Sequence, residues 1–315
     1  MFAPLAGVLL LFAAWSGYWL FVFNLAQQEA ANHRAALAAK NTTLACIDEG
    51  WSGYPFRIEF SCRAPVLNTK IEEHDVTVSA AALLIVVQAY NPSSIVALLD
   101  GPTSITASDG SFLEAGHDRA IASFHYEGKE CGRFSIEIPA LTVSGVVEAS
   151  LMALHLRCRD NGANIAINAR DLTVYGTIQG PLRLDATSFD VEAPHSLFAQ
   201  SKPLLNASVT GTRAEILSAE IVRNGVVVKG KGWLGIDKER RLVGKVATET
   251  NDIDGLLDEA NRYHPLSEPD RTALKTLLGL IDNSATDKQA KADFIAKDGE
   301  LYWGPFKLAD LPPLY

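Results

Sequence analysis

"GWSGYPFRIEFSC", Gly50 to Cys62, decides how the rest of the 315-residue chain is read. Gly53 and Pro55 are turn formers, glycine because it tolerates positive φ and proline because its ring presets φ. After them Phe56, Ile58, Phe60 and Cys62 alternate with Arg57, Glu59 and Ser61, the period of two that gives a strand one apolar and one polar face. The stretch therefore predicts a turn opening a half-buried strand, with Phe56, Ile58, Phe60 and Cys62 facing inward. "GWSGY" approaches the nucleophile elbow Gly-x-Ser-x-Gly, but Tyr54 stands where the sharp turn needs glycine, so Ser52 reads as a turn residue.

Upstream lies the largest compositional shift in the sequence. "MFAPLAGVLLLFAAWSGYWLFVF", Met1 to Phe23, carries no charged side chain, and about 20 apolar residues suffice for a helix to cross a bilayer. Trp15, Tyr18, Trp19 and Phe21 gather toward its distal end, as rings favouring a membrane interface do. The expectation is a single span at about 4–24 within an anchor segment, 1–26. A cleavable signal peptide is the competing reading, although its apolar region normally covers only about 7–15 residues. Arg34 and Lys40 follow the span and no Lys or Arg precedes it, so charge alone leaves the orientation open. Gln28 to Glu49 is Ala-rich and lacks Pro and Gly, which predicts a helix leading out of the membrane and a leader segment, 27–52, that ends in the turn.

The cysteines, Cys46, Cys62, Cys131 and Cys158, form an even set that divides into two local pairs. Cys62 can reach back to Cys46 across the Gly53–Pro55 turn, provided the leader helix frays or docks by its other face, because on a helical wheel Cys46 lies opposite Leu37 and Leu44. Cys131 and Cys158 are equidistant from the Ser144–Gly145 step, and a hairpin turning there would set them opposite each other. Two bridges fit an oxidising compartment such as the periplasm. Four buried thiols are the alternative, and no C-x-x-C spacing suggests zinc or a redox pair. The expected location is the inner membrane, crossed once, with the bulk of the chain in the periplasm.

From the opening strand to about residue 250 the pattern is short alternating segments bounded by turn residues, among them "RFSIEI", "LMALHLRC" and "LRLDATSFDV". Asn224–Gly225 and Asp298–Gly299 are two-residue hairpin signals. "LLIVVQAY" is too short to cross a membrane and predicts a buried strand closing at Tyr90, Asn91 and Pro92. A helical insertion at about 251–283 interrupts the strands, with Asn251 or Asp252 as cap and a second helix carrying Leu274, Leu277, Leu278 and Ile281. The fold class is mainly β (α+β): a long curved antiparallel sheet folded over an apolar core or groove, in a β-rich domain spanning 53–315.

No constellation points to catalysis. The net charge of −9 opposes a nucleic-acid surface, which needs clustered Lys and Arg. "GKGWLG", Gly230 to Gly235, matches a dinucleotide-binding fingerprint in letters but runs into a hairpin instead of a helix, so its glycines read as bends in a strand. The histidines show no ligand spacing, and His155 and Cys158, three apart on a strand, point to opposite faces. Asp252 and Asp254 fit a cap and a turn better than an acid–base pair. The chain is expected to be non-enzymatic, with no cofactor, metal or nucleic-acid partner.

Three groups of residues carry a family likeness: Gly53, Tyr54, Pro55 and Phe56 leading into a strand; Tyr90, Asn91 and Pro92; and the closing Gly304, Pro305, Pro312 and Pro313. In this order, behind an apolar N-terminal run, they resemble the bacterial family known as domain of unknown function 2125. That resemblance implies a membrane-anchored envelope protein with a β-rich exported part. "VVVKGKGWLGIDKERRLVGKVATETNDIDGLLD" is loosely similar to the C-terminal style of AsmA-like envelope proteins, which implies lipid handling. The partners expected are therefore the membrane, through the N-terminal helix, and either phospholipid acyl chains bound in an apolar trough or an envelope protein docked on the sheet surface or edge.

Overall fold

A computed structural model of the chain describes residues 3–71, 74–126, 132–159, 162–176, 180–194, 213–263, 267–281, 290–304 and 306–314. The β-rich part, expected as one body from 53 to 315, divides into two compact units, Met1–Ser144 and Gly145–Tyr315.

The first unit begins with one continuous helix, α1 (Ala3–Ala38). Eleven strands follow: β1 (Thr43–Ala45), β2 (Asp48–Ser52), β3 (Arg57–Arg63), β4 (Val66–Ile71), β5 (His74–Ser79), β6 (Ala82–Gln88), β7 (Asn91–Asp100), β8 (Thr103–Ala107), β9 (Phe112–Gly116), β10 (Ala120–His125) and β11 (Arg133–Val143). Their pairing is antiparallel throughout, in the order β2-β3-β6-β7-β10-β11-β9-β8-β5-β4-β1. This is a six-segment meander in which nearly every segment breaks near its middle.

The breaks fall on one line, through Cys46–Ile47, Ala64–Pro65, Ala80–Ala81, Gly101–Pro102 and His117–Arg119, and it meets β11 at Pro139–Ala140. Ala64 and Ala140 sit there at φ 47° and 50°, in the left-handed region that few non-glycine residues visit. Backbone hydrogen bonds cross the seam, from Ala64 N to Ala81 O and from Ala81 N to Asp100 O. Arg119 clamps it with a two-pronged contact to Asp100, at 2.6 and 3.0 Å, which holds that carboxyl below the usual carboxylate range. The register does not slip across the seam, Cys62 opposing Leu83 and Val66 opposing Ser79. The apolar positions nevertheless change phase, from Ile58, Phe60 and Cys62 before Ala64 to Leu67 after it. Leu67 belongs to an aliphatic row, Leu44–Leu67–Val78–Ile105–Leu113, that crosses five strands.

The leader helix expected to reach Glu49 ends at Ala38, and β1 and the start of β2 fall in the stretch that remains. Asn41, at φ 58°, turns the chain out of the helix. Cys46 thus lies between two strands, and the helical-wheel conflict disappears. The Cys46–Cys62 disulfide forms across the β2–β3 hairpin, with Cα atoms 5.4 Å apart. Cys158 is also disulfide-bonded, while its expected partner, Cys131, lies outside the described residues.

The second unit is a simpler meander: β12 (Val147–Arg159), β13 (Gly162–Val174), β14 (Leu182–Pro194), β15 (Arg213–Arg223), β16 (Val226–Ile236), β17 (Leu242–Thr250), then α2 (Ile253–Tyr263) and α3 (Glu268–Ile281), then β18 (Ala290–Lys297), β19 (Glu300–Trp303) and β20 (Phe306–Asp310). Each strand pairs with the next. Asn224–Gly225 (φ 50° and 80°) and Asp298–Gly299 (φ 53° and 81°) form the tight turns their sequence announced. Gly232 lies inside β16, where a Cβ would stand 2.0 Å from the Lys245 carbonyl. Its glycine serves close strand approach, not phosphate.

Asp252 caps α2 by accepting from Gly255 N at 3.1 Å. Ile253 and Leu257 then pack on Ala290 and Ala292, with Leu256 and Trp303 alongside. Asp254, bonded to Lys275 and facing Arg271, and Asp258, 2.6 Å from Arg271, tie the two helices together. The Lys275 contact keeps the Asp254 carboxyl below its ordinary range.

The Cys46–Cys62 bridge closes a loop of sequence separation 16, and a loop of about 15 residues contributes about 3 kcal/mol by restricting the unfolded chain. Replacing both cysteines by serine is expected to destabilise the first unit by about that amount. Urea titration of the full chain with pulse proteolysis at Thr43–Arg63 measures it, and an unchanged midpoint contradicts the stapling role.

Candidate functional site

Tyr54, Pro55 and Phe56 form the β2–β3 turn, and Ala89 and Tyr90 form the β6–β7 turn beside it. Ala89 N donates to Phe56 O at 2.9 Å and joins the two. Gly53 enters the first turn at φ 112°, with a position where a Cβ would lie 2.5 Å from the Arg57 carbonyl, so only glycine fits. Asn91 closes the second turn through Ser93 and Ser94, with its Oδ1 accepting from Ser93 at 2.6 Å and its Nδ2 donating to Ser94 at 3.2 Å.

The helix α1 docks onto both turns. Trp15 Nε1 donates to Pro55 O, Tyr18 Oη to Ala89 O and Trp19 Nε1 to Arg57 O, each at 3.0 Å. Ser16 Oγ lies 2.9 Å from Tyr54 Oη. Ring contacts follow the same line: Trp15 with Phe56 at 6.0 Å, Trp19 edge-on to Tyr54 at 5.3 Å, and Phe23 with Trp51 at 6.3 Å. Further along the helix, Arg34 stacks on the Phe60 ring at 5.0 Å and pairs with Glu49 at 2.9 Å. A residue every third or fourth position of α1 therefore touches the sheet, which is one face of a helix.

The face that α1 meets is apolar across five strands. In register, Ile58–Val87–Ile95–Phe124–Phe134 forms one row, Phe60–Ile85–Ala97–Ala122–Ile136 the next, and Cys62–Leu83–Leu99–Ala120 a third. Ile58, Phe60 and Cys62 are buried, whereas Ile95 and Phe124 in the first row remain 38% and 37% exposed. Phe56, expected to face inward with them, is 61% exposed in the turn and packs on Trp15 instead. Its displacement follows from the turn, which ends only at Arg57, so alternation begins one residue later than the sequence implied.

The second unit offers a different surface. An open cavity of about 860 Å³ lies on the polar side of β14–β18. Glu220–Lys229–Glu249–Lys291 crosses four strands of it as a row of alternating charge, and Lys245 pairs with Asp293 at 2.6 Å. Its lining mixes charged groups with apolar ones, among them Ala219, Ala247, Ala292 and Ile295. Gly304, Pro312 and Pro313 also belong to this unit: Gly304 N bonds Asp293 O at 2.8 Å, the two prolines are exposed in the extended tail after β20, and Pro305 lies outside the described residues. Among the described residues no group of three or more His, Cys, Asp or Glu could hold a metal ion.

With this architecture on the page, the chain belongs to the bacterial family described as an uncharacterized protein conserved in bacteria, domain of unknown function 2125, whose profile matches residues 19–312. The match opens at Trp19, inside α1, and so includes Trp19 and Phe23 but not Trp15, Ser16 or Tyr18. No curated protein matches the chain.

The helix docking was the feature least evident from the sequence. Its signal was present in Trp15, Tyr18 and Trp19, whose spacing of three and four residues places all three on one face. Trp19→Phe keeps an aromatic ring but removes the partly buried hydrogen bond to the Arg57 carbonyl, which costs about 0.5–1.5 kcal/mol. The variant is expected to release α1 from the turns, measured as faster hydrogen exchange at Arg57 and Ala89 in the full chain. Unchanged exchange contradicts the docking.

Proposed function

We propose that this is a single-span envelope protein, held in the inner membrane by α1, whose first unit carries lipid acyl chains on the open part of its apolar face. The observation that bears the proposal is the set of rows through Ile95, Ala97 and Phe124, which continue a buried apolar face out into the open beside a helix apolar enough to lie in lipid. Leu10 and Leu11 of α1 are 71% and 73% exposed, a state that favours hydrocarbon surroundings over water. A signal peptide would be removed, yet Trp15, Tyr18 and Trp19 satisfy backbone carbonyls of the folded unit, which supports a retained anchor. The Cys46–Cys62 bridge supports an oxidising compartment, and hence a periplasmic body. Acyl chains suit a concave or open apolar surface because they need no hydrogen-bond partner there.

A second reading rests on the second unit. The alternating row Glu220–Lys229–Glu249–Lys291 on an open cavity supports docking of an envelope protein of complementary charge, since charge patterns specify partner and register.

Photo-crosslinking in intact bacteria separates the two. Benzoylphenylalanine at Ile95 or Phe124 is expected to yield a phospholipid adduct by mass spectrometry, and the same group at Ser123, on the opposite face of β10, is expected to yield none. Protein adducts at Lys231 with no lipid at Ile95 or Phe124 would establish the docking reading and refute the lipid one.

A further inference from the structure

Exposed aromatic rings collect at one end of the first unit. Tyr54 and Phe56 in the β2–β3 turn are 47% and 61% exposed, Tyr90 in the β6–β7 turn is 62% exposed, and Tyr126, just after β10, is 45% exposed. They share one end because the strands bring them there: Arg57 opposes Gln88, His125 opposes Ser94, and Tyr126 N bonds Ser93 O. The far ends of the paired segments carry Lys40, Asn41, His74, Asp75, Ser108 and Asp109 instead. The far end also holds one exposed ring, Phe112 at 62%, against the four gathered at the first end.

The aromatic end is also the end that grips α1 inside its uncharged stretch. The apolar run ends at Phe23, Asn24 begins the polar part of the helix, and the first charged side chain is Glu29. Trp15, which holds Pro55, lies nine residues before Asn24, about 13 Å along the axis at 1.5 Å per residue. Tyr18 and Trp19, which hold Ala89 and Arg57, lie within about 9 Å of the same point. If α1 is embedded to the end of its apolar run, both turns reach about 8–13 Å inside that end. At that depth the turns meet acyl chains, which suit the apolar bodies of their rings. Every backbone group brought to that depth needs a partner, because lipid offers none. The carbonyls of Pro55, Ala89 and Arg57 have theirs in the side chains of α1, and Phe56 O has Ala89 N.

We infer that the aromatic end of the first unit is a second membrane contact: Tyr54, Phe56 and Tyr90 sink beneath the headgroups beside α1, about 8–13 Å inside the end of its apolar run, so that the apolar face of the sheet opens directly onto the bilayer. The occupant is lipid, because the rings surround a lipid-facing segment of the same chain at the depth of its apolar run. The inference rests on the anchor reading and extends it. In that position lipid can pass between the bilayer and the rows through Ile95 and Phe124 without crossing water.

The test uses the full chain reconstituted in phosphatidylethanolamine–phosphatidylglycerol vesicles, with a fluorescent amino acid placed singly at Phe56, Tyr90, Ser108 or Leu10. Lipids brominated on their acyl chains are expected to quench emission at Phe56, Tyr90 and Leu10 and to leave Ser108 unchanged, while aqueous iodide quenches only Ser108. Quenching by brominated lipid at Leu10, with iodide quenching at Phe56 and Tyr90, would overturn the second contact and leave the anchor standing. Failure at Leu10 as well would overturn both.

Discussion

Three hydrogen bonds from one helix face to three backbone carbonyls, Trp15 to Pro55, Tyr18 to Ala89 and Trp19 to Arg57, fix where the first sheet stands against its helix. Each has a donor that is otherwise apolar, so the contact costs little solvation on the side-chain side and satisfies a group that lipid could not. A helix bound at three points in five residues cannot swivel freely. The remainder of α1 therefore runs along the sheet to Arg34, where the guanidinium covers Phe60 and meets Glu49. The same constraint sets which part of the apolar face is closed and which part stays open.

Elsewhere the two units answer the same requirement differently. A sheet with one apolar face has to put that face against something, because exposed apolar area costs roughly 25 cal/mol per Å². In the second unit α2 supplies part of the cover, with Leu257 almost fully buried on Ala290 and Ala292. In the first unit Ile58, Phe60 and Cys62 are buried, with Arg34 of α1 over Phe60 and Cys46 bonded to Cys62, while Ile95 and Phe124 stay half open. That asymmetry, and not any cluster of reactive groups, is the reason for reading the first unit as a lipid surface.

The strands were legible from the sequence to the extent that local chemistry decides them. Alternation at Ile58, Phe60 and Cys62, the Asn224–Gly225 and Asp298–Gly299 turns and the Asp252 cap are local, and each appears where its residues place it. The Cys46–Cys62 bridge was legible for the same reason, as a short loop around a marked turn. The end of the leader helix was not, because Thr42 to Glu49 lacks the proline or glycine that would announce it, and strand pairing of Leu44 with Leu67 overrode helix propensity. The seam through Ala64 and Gly101, and the division into two units, depend on contacts between distant segments, which alternation does not encode. For the candidate site, Gly53 to Phe56 and Tyr90 to Pro92 were read from the sequence as structural motif residues, while the way Pro55, Arg57 and Ala89 receive α1 needed the three-dimensional register.

The central claim is that α1 stays part of the folded protein, as anchor and as cover. The intact mass of the protein recovered from bacterial membranes tests it most directly, read after reduction so that disulfides add no ambiguity. The account requires a chain that still contains Trp15, Tyr18 and Trp19. A mature chain beginning beyond Trp19 would remove every helix–turn hydrogen bond described above and contradict it.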